Sequence, residues 1–169
     1  LEERLALVKE ALVYRLNRTK EAKPENAPIL YMNGAWGSKL KTEDSVDELF
    51  KNKRATISMG YIGLYEVGTV FFGADWESDP EAKQFTVDIL QLMKGYCDIW
   101  GNTYGYHFSV YATPSESLTD RFCKMDKEIF GSIPNITEKG YYTNSYHYDV
   151  RKKPTPFEKL DFEMDYPKF

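Results

Sequence analysis

The sequence predicts an α/β fold in which strands alternate with helices. Two observations carry this. Short apolar or alternating stretches of strand length are separated by longer stretches whose apolar residues recur at helical spacing. Glycine and proline sit at the joints between them, as breakers should. Strands separated by helices point to parallel pairing in a layer or a barrel.

The elements follow in order. Leu5, Val8, Leu12 and Leu16 share one helical face, so a helix runs over about residues 3 to 22 and stops before Pro24 and Pro28. ILYMNG (29–34) is a short apolar run closed by Asn-Gly, which reads as a strand entering a turn. Ser45 and Glu48 have capping-box spacing ahead of a short helix. ATISMGYIG (55–63) is a strand broken by Gly60 and Gly63, and LYEVGTVFFG (64–73) is a helix ending at Gly73. Asp79-Pro80 opens another helix, whose face of Ala82, Phe85, Ile89, Leu92 and Tyr96 runs to about Trp100. HFSVYA (107–112) alternates as a strand. The next helix has the stripe Leu118, Phe122, Met125 and Ile129, with Gly131 as its stop. GYYTNSYHYDV (140–150) is read as a fourth strand, and TPFEKLDFE (155–163) as a short terminal helix. Four strands cannot close a barrel, so an incomplete barrel fits this order. The 169 residues suffice for one domain with a core, and 1–169 is taken as a single domain.

Composition narrows the function. With a net charge of −4 the chain lacks the clustered Lys and Arg of a nucleic-acid binder. No apolar run reaches the ~20 residues of a membrane span. Cys97 and Cys123 form no CxxC and read as reduced, inert thiols of a cytoplasmic protein. His107 and His147 have no carboxylate pattern beside them, so no metal site is expected. Glu66, early in its helix, reads as a favourable charge at the dipole. Arg151-Lys152-Lys153 reads as a solvated turn.

ATPSESLTDRF (112–122) is the stretch with chemistry in it. Thr113 as cap, Pro114 at the first helical position and Glu116 three residues on make a capping box. That alone accounts for the residues. A second reading uses the location: a helix start at the C-terminal end of a strand presents free N–H groups to an anion. Ser115 and Ser117 add hydroxyls, and the Glu116 carboxylate opposes an anion.

ISMGYIGLYEVGTVFFG, FSVYATPSESLTDRFCKMDKEIFG and KGYYTNSYHYDVRKKPTPFEKLDFE together resemble the large subunit of the anaerobic (class III) ribonucleoside-triphosphate reductases, in order and along the whole chain. The resemblance implies a segment of a ten-stranded α/β barrel shared with other ribonucleotide reductases and pyruvate formate-lyase. It implies an enzyme that replaces the ribose 2′-OH of ribonucleoside triphosphates with hydrogen, supplying deoxyribonucleotides for DNA synthesis. A radical-SAM activating protein would make a glycyl radical, a thiyl radical would attack the substrate, and formate would be the reductant. A zinc site, ATP and dNTP effectors and a homodimer belong to the same expectation.

Residue by residue, Thr113, Ser115, Glu116 and Ser117 match the family's substrate-phosphate run, which favours the anion reading. Tyr142 and Asn144 are site-lining candidates on the GYYTNS run. If that run is a strand, period two places Tyr142 and Asn144 on one face and His147 on the other. No Met-Gly-Cys-Arg run and no glycyl-radical motif occurs in this sequence. The expectation is therefore a central slice of the barrel without catalytic residues, inactive alone. The alternative is a non-catalytic phosphate- or nucleotide-binding α/β domain.

Overall fold

The computed structural model describes residues 1–51 and 55–168. Its helices are α1 (Glu2–Lys20), α2 (Pro28–Tyr31), α3 (Leu64–Phe72), α4 (Pro80–Tyr104), α5 (Glu116–Phe130) and α6 (Pro156–Glu163). Its strands are β1 (Thr56–Tyr61) and β2 (His107–Ala112), which pair as a two-stranded sheet. Thr56 Oγ1 meets His107 Nδ1 at 3.0 Å and Ser58 Oγ meets Ser109 Oγ at 3.5 Å, both at a separation of 51 residues. A constant separation means parallel strands, and α3 and α4 supply the long connection that parallel pairing needs.

The chain divides into two compact units, one of Leu1–Met59 with Gly95–Ser109, the other of Gly60–Lys94 with Val110–Phe169. In the first, α1 buries Leu5 and Leu16, and Val46, Leu49, Trp100 and Phe108 are among the other core residues. Ser45 caps the turn Val46–Leu49, its hydroxyl accepting from Asp47 N–H. Tyr106 donates its hydroxyl to Asp47 at 2.8 Å, and the Lys20 ammonium lies 4.2 Å from the Tyr106 ring centroid.

The second unit has an aromatic core. Trp76 and Phe162 pack edge-to-face at 5.4 Å, Tyr148 meets Phe162 at 4.9 Å, and Tyr146 stacks on Tyr166 at 5.4 Å. The Trp76 indole N–H donates to Tyr65 O at 3.2 Å, satisfying its one polar group inside the core. The Tyr166 hydroxyl shares a 2.9 Å hydrogen bond with Thr86, and burial pushes its phenol up to about 12. Gly63, at φ +78°, joins β1 to α3 in a conformation that glycine adopts at no steric cost.

Four sequence expectations are corrected. ILYMNG is not a strand: Pro28 starts α2, its fixed φ suiting the first helical position, and Ile29 is exposed with no sheet beside it. Residues 140–150 form no strand either. Their ladder contact is an isolated antiparallel bridge, Ile62 to Asn144, and among the described residues the sheet holds two strands rather than four. The α5 stripe of Leu118, Phe122, Met125 and Ile129 is not core; these residues are 39–69 % exposed, while Thr119 and Cys123 are the buried ones. Arg151 and Lys152 are not free in solvent. Arg151 pairs with Asp149 at 2.7 Å, and Lys152 pairs with Asp75 at 3.0 Å and Glu77 at 2.5 Å.

Candidate functional site

The helix start at Thr113–Ser117 is built differently from a capping box. Ser115 is the N-cap residue and its side chain makes no cap hydrogen bond. The Thr113 hydroxyl donates instead to Tyr111 O at 3.2 Å. Thr113 packs against β1 at Gly60, where an added Cβ would collide with its Oγ1. Packing the end of β2 against β1 therefore takes the side chain away from the helix, and α5 begins two residues later than the spacing of Thr113 and Glu116 implies.

This leaves donors available. Leu118 N–H and Thr119 N–H both donate to Ser115 O, at 3.1 and 3.0 Å. Ser115 N–H donates to Asn144 Oδ1 at 2.9 Å. Glu116 N–H and Ser117 N–H have no partner among the described residues. They lie at the positive end of a 15-residue helix.

Beside this helix start is a cleft of about 430 Å³ whose lining includes Glu116, Thr119, Asp120, Tyr142, Asn144, His147 and Lys159. Tyr142 is fixed to α5 twice: its N–H donates to Thr119 O at 3.1 Å and its hydroxyl to Asp126 Oδ2 at 2.7 Å. Burial, then the Asp126 carboxylate, push the Tyr142 phenol above its ordinary value, so it is a neutral donor at pH 7. His147 Nδ1 lies 3.1 Å from Glu163 Oε1.

Of the residues singled out from sequence, Glu116, Tyr142 and Asn144 line one cleft, and Ser115 is tied to it through Asn144. Thr113 and Ser117 do not line it. His147 lines it beside Tyr142 and Asn144, because without a strand the period-two rule does not apply.

Sequence reasoning missed a buried charged group tied to this cleft through Thr143, one of its lining residues. Glu66 is buried and accepts from Thr143 N–H at 3.1 Å and from the Thr143 hydroxyl at 2.7 Å. It also pairs with the Lys139 ammonium, which reaches Thr143 Oγ1 at 3.0 Å and Asp149 at 3.5 Å. The side chains of Glu66, Lys139 and Asp149 are at most 4 % exposed. Burial alone would raise the Asp149 carboxyl. Hydrogen bonds from the Arg151 side chain and backbone, with the Lys139 and Arg151 charges, outweigh it and hold the carboxyl below the usual range. The available signal was a glutamate inside an otherwise apolar helix, LYEVGTVFFG, one turn after a glycine joint.

The thiols are placed as structural groups. Cys97 and Cys123 are both buried and neither is in a disulfide, and Cys123 donates to Thr137 O at 3.6 Å. Burial, then the Glu66 charge, push the Cys123 thiol up, away from the reactive thiolate. Among the described residues no group of three or more His, Cys, Asp or Glu could hold a metal ion, and no helix is long and apolar enough to cross a membrane.

Comparison with known proteins bears on the whole chain. A family model described as anaerobic ribonucleoside-triphosphate reductase matches residues 1–169. The anaerobic ribonucleoside-triphosphate reductases of Salmonella typhimurium and Escherichia coli are 49 % and 48 % identical over 168 residues, 99 % of this chain and 24 % of theirs. The reductase of Enterobacteria phage T4 is 43 % identical over 164 residues, 97 % of this chain and 26 % of its own. The chain thus spans about a quarter of the length of the curated relatives it matches. On the full-length family match, this chain belongs to the anaerobic ribonucleoside-triphosphate reductase family.

Proposed function

We propose that the chain is a segment of the catalytic subunit of an anaerobic ribonucleoside-triphosphate reductase and contributes the cradle for the substrate's phosphates. The observation that carries the reading is the family match along residues 1–169. The parent protein would be a cytoplasmic enzyme converting ribonucleoside triphosphates to deoxyribonucleoside triphosphates on a ten-stranded barrel. Its homodimer, effector control by ATP and dNTPs, zinc and radical-SAM activating protein belong to the same proposal. A glycyl radical, with formate as reductant, would supply the hydrogen-atom chemistry. The buried Cys97 and Cys123 do not fit a thiyl role, so no radical step is assigned to this chain.

What the residues here do is bind and orient. The free N–H groups of Glu116 and Ser117, together with the dipole of α5, favour a phosphate at the helix start. Asn144 holds the Ser115 N–H and so fixes the direction of that turn. The Ser117 hydroxyl can add a donor, and Thr113 supports the turn from the β2 side. Glu116 and Asp120 repel an anion, which disfavours adventitious binding deeper in the cleft.

The test is a titration of the folded chain with ATP and with inorganic phosphate, following amide shifts by NMR. Saturable shifts at Glu116 and Ser117 are expected. Glu116→Gln should tighten binding by removing a like charge, and Glu116→Pro, which removes the same charge and also one donor while keeping the helix start, should bind more weakly than Glu116→Gln. Absence of shifts in a chain with native amide dispersion, or equal affinities for both variants, overturns the phosphate cradle.

A further inference from the structure

We infer that Glu66, with Lys139, is a positioning residue that sets the phosphate-facing turn of α5 through Thr143 and Asn144. The inference rests on the phosphate-cradle reading above and adds the device that aims it.

Segment 143–145 lies outside the sheet, yet its backbone is held at several polar groups. Thr143 N–H goes to the Glu66 carboxylate, and Thr143 O accepts Gly63 N–H at 2.8 Å. Ser145 O accepts Leu64 N–H at 3.2 Å, and Asn144 bridges Ile62. The first turn of α3 and the two residues before it thus hold three successive residues. The side chain of the middle one, Asn144, reaches across to Ser115 N–H at 2.9 Å. A chain of direct bonds runs from Glu66 to Thr143, through one peptide unit to Asn144, and on to the N-cap of α5.

Glu66 suits this task because both its oxygens are used. Oε1 accepts from the Thr143 hydroxyl and N–H, and Oε2 also lies 3.2 Å from that N–H. Lys139 neutralises it, and Asp149 with Arg151 completes the local balance of charge. Without Lys139 the buried carboxylate would lose its neutralising partner, and its hold on Thr143 would loosen. A contact that only stabilised the fold could have been apolar at this depth. An ion pair bonded to one backbone amide adds direction, which packing alone supplies poorly.

The experiment uses the full-length reductase containing this segment and a double-mutant cycle of Glu66→Gln and Asn144→Ala, reading KM for the nucleoside triphosphate and kcat separately. Each single variant is expected to raise KM about 10-fold, with kcat changed less than about 3-fold, and the double variant to be no worse than Asn144→Ala alone. Hydrogen exchange should speed up at the Ser115 amide in Glu66→Gln while amides in the middle of α5 keep their protection. Two results separate the readings. If Asn144→Ala leaves KM unchanged, the phosphate cradle itself fails. If Asn144→Ala raises KM but Glu66→Gln does not, or the two effects multiply, the cradle stands and Glu66 is structural only. Should Glu66→Gln fail to fold, Thr143→Val removes the hydroxyl bond to Glu66 and carries the same cycle, with the same two outcomes.

Discussion

Residues 107–112 and 140–150 look alike as sequence and fold differently. Both are rich in aromatic and polar residues, and both follow a glycine a few positions upstream or at their start. HFSVYA becomes β2 because β1 lies alongside it in parallel register. GYYTNSYHYDV has a side-chain carboxylate, a helix N-terminus and a single bridge as backbone partners instead. Backbone N–H and C=O groups must be paired when buried, and the pairing need not come from a strand. A sheet gives one stretch its shape; a buried ion-pair cluster helps shape the other, and that second solution lets the Asn144 side chain reach the start of α5.

The comparison breaks most visibly at the ion pairs. Asp149→Ala leaves the Arg151 guanidinium unpaired and removes one partner of the buried Lys139. It should cost about 3–5 kcal/mol, whereas Ser109→Ala on β2 should stay within about 0.5 kcal/mol. Urea denaturation midpoints measure both; similar small losses would mean that the cluster does not hold 140–150.

On the sheet side the corresponding weak point is steric. Gly60→Ala would drive a methyl group into Thr113, at a cost of roughly 1–3 kcal/mol. Adding Thr113→Ala should restore most of that loss. Strict additivity in the thermal melts would show that the two positions do not touch.

Acid should act on the cluster and spare the sheet. The Asp149 carboxyl titrates below its ordinary value in the folded chain. Between the folded and unfolded values the unfolded chain binds more protons, so stability falls as pH falls. The Asp149 contribution is intact above the ordinary carboxylate value, about 3.9, and is lost as pH drops through the lower folded value. In Asp149→Asn this increment should vanish from the pH dependence of stability below about pH 4. An unchanged acid limb would assign acid sensitivity to other carboxylates.

The smallest effect is expected at Thr113→Ala. A true cap there would cost roughly 0.5–2 kcal/mol, but with the hydroxyl bonded to Tyr111 O the loss should be under about 0.5 kcal/mol. Chemical denaturation of this one variant distinguishes the two arrangements of the helix start.

Local signals were legible wherever the chain's own neighbours decide the outcome. The apolar spacing of Leu5 and Leu16 gave α1, and Pro80 and Gly73 marked helix ends that the structure keeps. Thr155 and Glu158 form a complete capping box for α6, as their spacing allows. Periodicity was less informative about which face is buried. On α5 it selects Leu118, Phe122, Met125 and Ile129, while Thr119 and Cys123 face the core because Tyr142 and Thr137 pack there. Within the site, Glu116 was readable as a polar group at a helix start, and Asn144 only as a candidate on a run read as a strand. Glu66 was not, since a carboxylate in the first turn of a helix has an adequate local reason to be there.

Local sequence was enough to locate the longer helices, to include the two true strands among the four stretches read as strands, and to show the family to which the chain belongs. These follow from propensity, breakers and residue identity, all properties of neighbouring positions. Only the tertiary structure decided that 140–150 is not a strand, that Thr113 packs rather than caps, and that Glu66 grips Thr143 across 77 residues. Those outcomes depend on which distant group reaches a buried amide first. Burial makes an unpaired amide costly enough that the winner overrides local preference.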